Sequence, residues 1–249
     1  MNRFEATSSR MVWKENGMED SRCMGKLSDA GTASGDPLVV HADAHLLVVV
    51  KPAGLLSVPG RGDDKQDCAS ARVQRLYPDA KVVHRLDMAT SGLLLMARGA
   101  AMQRCLSQAF AGREVGKRYL AVVAGRPDVP ADALDGWALI DLPLAADWPN
   151  RPRRIVDRER GKPSQTRWRL LAHEPALDAT RLELEPVTGR SHQLRVHLQA
   201  IGHPILGDSL YAPPEVQARA PRLLLHATDL RLAHPALGAV LHFSSGAPF

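Results

Sequence analysis

The chain has 249 residues, of which 45% are hydrophobic and 24% charged, the proportions of a globular protein with length enough for one large core or two small ones. No apolar run is long enough to cross a bilayer, and the N-terminal stretch lacks the apolar segment of a secretory signal. Cys23, Cys68 and Cys105 are odd in number and widely spaced, which fits neither a disulfide framework nor a zinc site and makes a reducing cytoplasm the expected location.

Residues 1–36 are polar and without periodicity, and are expected to be a disordered extension. Order is expected from Pro37, so that 37–249 form the folded domain. Leu38–Val40 and Leu46–Val50 read as strands joined by a short polar turn. Lys51–Arg61 follows as a loop stiffened by prolines and hinged by glycines. A helix is predicted over Asp67–Tyr77, with Ala69, Val73, Leu76 and Tyr77 on its buried face.

The stretch His84-Arg85-Leu86-Asp87-Met88-Ala89-Thr90-Ser91-Gly92 stands between the apolar pair Val82-Val83 and the apolar run Leu93–Ala97. Turn chemistry between two core strands presents Asp87 on a short, rigidly flanked connection, a common setting for a catalytic group. By itself the pattern also suits an Asp that caps a turn and pairs with a surface Arg.

Met102, Leu106, Ala109 and Phe110 then recur at helical spacing, as core residues, with Gly112 as the stop. Lys117–Gly125 reads as a strand. Between Asp141 and Lys162 comes a proline-bearing segment with Arg151, Arg153, Arg154, Arg158, Arg160 and Lys162, an exposed loop suited to a polyanion or simply to water. The net charge of +5 is too modest to decide between them.

Arg167–Leu171 and Thr180–Leu184 alternate as half-buried antiparallel strands do. A short helix is expected after Ser191 as N-cap, burying Leu194, Leu198 and Ile201 and leaving His192, Arg195 and Gln199 on another face. Strands near Leu223–Leu225 and Val240–Phe243 close the sheet. The expected class is α+β, a mixed and largely antiparallel sheet flanked by helices and loops.

No phosphate loop or dinucleotide fingerprint is present. His192 and His197 are too far apart on their helix to grip one ion, and are expected to pack and hydrogen-bond. The His84–Asp87 tetrapeptide lacks the downstream partners of a kinase catalytic loop.

The order Lys51–Leu55, His84–Gly92, Lys117-Arg118-Tyr119, Gly189–His197, Gly202–Asp208 and Arg222–His226 resembles the RluA family of pseudouridine synthases, over nearly the whole chain from Pro37. Leu56–Arg61, Asp141–Leu144, Asp147–Pro152 and Gly161–Pro163 narrow the resemblance to the dual-specificity members, which act on ribosomal RNA and tRNA. The segment before Pro37 is too short for the S4 domain of larger relatives. The resemblance implies a pseudouridine synthase fold with a central RNA-binding cleft. Its expected substrates are a uridine of a tRNA anticodon stem-loop and one of a 23S rRNA hairpin, handled by a cytoplasmic monomer without metal or cofactor.

By the same resemblance Asp87 is the reacting carboxylate, attacking C1′ or removing a C2′ proton, and Arg195 is its cationic partner. Tyr119 stacks on the uracil and helps remove the C5 proton; as a strand residue alone it would read as core. Arg85 fills the space left by the flipped base, or else pairs with a nearby acid. Further substrate contacts are expected at His84 and Thr90, and at Arg153 and Arg154 of the basic segment. A non-catalytic RNA-binding protein is the rival reading, against which the retention of Asp87, Tyr119 and Arg195 together argues. A glycosidase would call for a second carboxylate or a metal site.

Overall fold

The computed structural model describes residues 35–131 and 133–249; the extension expected at 1–36 lies almost wholly outside them. In chain order the elements are β1 (Leu38–Ala42), β2 (Leu46–Lys51), α1 (Ala69–Leu76), β3 (Ala80–Val82), β4 (Ser91–Arg98), α2 (Gly99–Ala111) and β5 (Gly116–Ala124). Then come β6 (Ala138–Asp141), β7 (Leu144–Ala146), β8 (Arg154–Val156), β9 (Gln165–Glu174), β10 (Ala179–Pro186), α3 (Gln193–Ala200), α4 (Pro214–Gln217), β11 (Leu225–Ala233) and β12 (Val240–Ser244).

Among the described residues, ten strands form one sheet in the order β1-β2-β4-β11-β5-β10-β9-β6, with β12 added to β11 and β3 to β4. The β4–β11 pairing is parallel and the others are antiparallel, in accord with the α+β expectation. Uniform apolarity in β4 follows from burial of both its faces. Leu94 and Met96 pack with Leu47, Val49 and the α1 residues Ala69 and Val73. Leu93 and Leu95 point the other way, onto Leu46, Val48 and Leu106 of α2. A further core joins Leu194 and Leu198 of α3 to Ala121, Val123, Leu182, Leu184 and Trp168.

Gly92 is the tightest point in this frame. Its φ is +115°, and a β-carbon there would stand 2.3 Å from the Ala227 carbonyl oxygen. Only glycine lets β4 and β11 approach immediately after the Asp87 loop.

Several local expectations need correction. Leu76 ends α1 facing water, 73% exposed, because the helix stops before its turn can close over the core. The N-cap of α3 is His192 with φ 58°, not Ser191, and no side chain caps it. The strand expected near Leu223 starts at Leu225. Within the basic segment, β7 and β8 pair as a separate hairpin instead of forming an open loop. On α3, Gln193 to Leu198 are all buried, because the helix is covered on more than its apolar stripe.

Candidate active site

The connection between β3 and β4 is held from behind by the chain after β2. Lys51 Nζ donates to the carbonyls of Pro52, Leu55 and Met88 at 2.8, 2.8 and 3.1 Å. Ser57 Oγ accepts from the Leu86 N–H and donates to the Leu86 carbonyl. Gly54 N–H donates to Met88, and Thr90 N–H to the Asp87 carbonyl. Backbone groups on both sides of Asp87 are thus satisfied from the core, leaving its side chain directed at the opening.

That opening is a cavity of about 540 Å³ lined in part by Asp87, Tyr119 and Arg195, with His84, Arg85 and Thr90 also on its wall. The three residues expected at the centre of the chemistry therefore converge. Arg195 is buried and donates through Nε and Nη2 to the two oxygens of buried Asp208, at 2.8 and 2.6 Å. Its remaining nitrogen, Nη1, lies 3.8 Å from Asp87 Oδ2. Burial opposes the Arg195 charge, but the bonds and charge of Asp208, with Asp87, outweigh it and hold the guanidinium pKa above its ordinary value. A fork fixed on one carboxylate thus presents a rigid cation to another.

Tyr119 lies at the meeting of two cores and also faces the cavity. Burial, reinforced by the Asp87 charge, pushes its pKa up, so the phenol keeps its proton at neutral pH. His84 accepts the Leu95 N–H on Nε2 and stacks on Phe110, with ring centroids 4.4 Å apart. Burial and then Lys117 lower its pKa to about 3, so the ring is neutral and partly committed to the fold. Arg85 is exposed and donates to Ser191 Oγ at 3.4 Å. Thr90 is buried at the cavity wall.

Arg153 and Arg154 stand outside the cavity lining, on the neighbouring hairpin. Arg153 donates to the Leu210 carbonyl, and the Arg154 N–H to Tyr211 Oη. Sequence reasoning assigned no role to Asp208, Tyr211, Lys117 or Arg113. Asp208 and Tyr211 were signalled only as an acid and an aromatic in a block broken by glycine and proline. Phe110, expected as core, lines the cavity, and His192, expected to pack, brings Nε2 to 3.9 Å from Asp87 Oδ1.

Elsewhere, Asp43, His45 and His234 bring possible ligand atoms within 4.8 Å of one another. His234 Nδ1, however, accepts the N–H groups of Ala236 and Leu237, which puts its proton on Nε2, facing Asp43. The group is a hydrogen-bonded staple between two turns, and its donor pattern does not suit a cation.

Residues 45–200 match the family described as RNA pseudouridylate synthase. The chain belongs to that family. It is an RNA pseudouridine synthase, an isomerase that re-joins uracil to the same ribose through carbon. The synthase is 52% identical over 213 residues to the dual-specificity RNA pseudouridine synthase RluA of Escherichia coli K12, covering 85% of this chain and 94% of that protein. It is 48% identical to the RluA of Yersinia pestis over 85% of its own length and 100% of the relative's. Among solved structures, human RNA pseudouridylate synthase domain containing 1 aligns at 27% identity and TM-score 0.69, covering 89% of this chain and 87% of that one. The synthase fold is thereby established, and RNA is its substrate class. No helix among the described residues is long and apolar enough to cross a membrane.

Proposed function

We propose that the synthase isomerises one uridine in a tRNA anticodon stem-loop and one in a 23S rRNA hairpin loop, using 37–249 as a single catalytic domain. The dual-specificity RluA relatives, alike over most of their length, support this choice of RNA. Asp87 is the carboxylate that acts at the sugar, and Arg195 holds it ionised. Tyr119 stacks on the uracil, a contact worth about 1–3 kcal/mol by analogy with single-stranded RNA binders. The observation that carries the assignment is the Arg195 fork, locked on Asp208 with Nη1 turned toward Asp87 at the cavity floor.

A uridine in a folded RNA must leave its stack to reach Asp87, at a cost of a few kcal/mol. Arg85, exposed at the rim, is placed to occupy the vacated position. His84 and Thr90 shape the wall against which the base settles. Arg153 and Arg154 contact phosphates of the hairpin stem; beside them Trp148 is 69% exposed, with the Arg151 guanidinium 3.5 Å from its ring centroid. Isomerisation gains and loses no atom or electron, so the reaction requires neither cofactor nor metal. The enzyme works as a monomer in the cytoplasm.

Asp87→Ala is expected to abolish pseudouridine formation while RNA binding is retained. Carbodiimide primer extension on an anticodon stem-loop and a 23S hairpin, with wild-type enzyme alongside, tests both points. Conversion by the variant would remove Asp87 from the chemistry, and conversion of only one RNA by the wild type would remove dual specificity.

A further inference from the structure

A hydrogen-bond path leads from the basic hairpin to the Asp87 carboxylate, through two side chains that have no role in the reaction as described. The Arg154 backbone N–H, on β8, donates to Tyr211 Oη at 2.8 Å. Tyr211 Oη lies 2.6 Å from His192 Nδ1. The other nitrogen of that ring, Nε2, faces Asp87 Oδ1 at 3.9 Å, while Arg195 Nη1 faces Oδ2 at 3.8 Å. Both approaches are longer than hydrogen bonds, as catalytic contacts commonly are before substrate is seated.

Counting protons fixes the direction of the path. Burial raises the Tyr211 pKa, so the phenol keeps its proton. Burial lowers that of His192, with Arg195 and Arg154 acting the same way and Asp87 and Asp208 opposing, so a neutral ring with one proton is favoured. Were that proton on Nδ1, a bare lone pair on Nε2 would face the Asp87 carboxylate. The arrangement that avoids this has Tyr211 donating to Nδ1 and His192 carrying its proton on Nε2. The His192 backbone is left-handed, with φ 58°, and its side chain caps nothing in the helix it begins. A strained backbone that releases a ring toward a cavity is a familiar sign of function.

We propose that Tyr211 and His192 form a positioning relay, which aims one N–H donor at Asp87 Oδ1 and links the carboxylate's orientation to the RNA-facing hairpin. This rests on the reading of Asp87 as the reacting group. With a donor opposite each oxygen, the carboxylate loses both if it rotates, so the relay selects one rotamer. Because the anchor is the β8 backbone itself, a shift of the hairpin on meeting RNA reaches His192 without passing through the solvent.

Tyr211→Phe tests the relay, since it removes the hydroxyl but keeps the ring that lies over Arg195, 5.0 Å from guanidinium carbon to centroid. With an anticodon stem-loop RNA and enzyme in excess, the single-turnover rate is expected to fall roughly ten- to hundredfold while RNA affinity is unchanged. Loss of a hydrogen bond to neutral His192 raises the pKa of the ring, so the acid limb of the rate profile moves to higher pH. His192→Asn, which tolerates the left-handed backbone, is expected to lower the rate as much. In wild-type protein labelled with nitrogen-15 histidine, the His192 signal, assigned by its loss in the Asn variant, should report a proton on Nε2.

A wild-type rate and pH profile in Tyr211→Phe, or a His192 proton on Nδ1, would overturn the relay. An active Asp87→Ala enzyme would instead overturn the reading on which it rests, whatever the relay variants do.

Discussion

The ammonium of Lys51 donates to the carbonyl of Met88 at 3.1 Å, joining the end of β2 to the residue after Asp87 across 37 positions of chain. With the Pro52 and Leu55 carbonyls, its three acceptors match the three protons of an ammonium. Burial nevertheless lowers its pKa to about 7, with Asp87 opposing and Arg222 assisting. Between that value and the unfolded 10.5, the unfolded chain binds the proton more tightly, so Lys51 costs stability that is recovered as pH rises. Stability of the wild type relative to Lys51→Met should therefore increase from neutral pH to about pH 9.5 in urea unfolding. A flat or falling difference would contradict the lowered pKa.

Gly92 stands where β4 meets β11. Gly92→Ala places a β-carbon against the Ala227 backbone, at a φ that side chains rarely adopt. Destabilisation of more than about 2 kcal/mol is expected by denaturant titration. A loss within about 0.5 kcal/mol would show that the two strands separate easily.

Asp208 is 1% exposed and accepts from Arg195 twice and from the N–H groups of Leu210 and Tyr211. Asp208→Asn leaves the buried guanidinium without its main counter-charge. Breaking such a pair by removing one partner costs about 3 kcal/mol or more. The melting temperature should fall, and the single-turnover rate measured well below it should fall too, because Arg195 is no longer fixed opposite Asp87. A stable variant with the normal rate would mean that Asp87 alone can hold Arg195.

Arg153 and Arg154 sit on the hairpin beside the cavity. Neutralising both is expected to weaken RNA binding and to reduce the slope of log affinity against log salt, by about one unit for each phosphate that is no longer neutralised. Filter binding across a salt series reads this directly. An unchanged slope would take the hairpin away from the phosphates.

What could be read without coordinates was whatever repeats locally. Alternation and apolar runs located β1, β2, β4, β5, β9 and β10, because strand burial is periodic along the chain itself. Linear motifs carried the family and, through it, Asp87, Tyr119 and Arg195, whose placement around one cavity the fold then supplied. Helix ends were less legible: Ser191 looked like a cap, but a left-handed His192 begins α3, for reasons that lie in Tyr211 and Asp87 rather than in neighbouring sequence.

From residue order alone came the strands, the chemistry-bearing motifs and the family, since each depends on neighbours along the chain. Tertiary structure alone decided that Arg195 is gripped by Asp208, that Lys51 and Ser57 brace the Asp87 loop, and that Tyr211 connects the basic hairpin to His192. Those are pairings of buried polar groups distant in sequence. Burial obliges each such group to find a partner, but which partner it meets is set by how the sheet and α3 bring separate segments together.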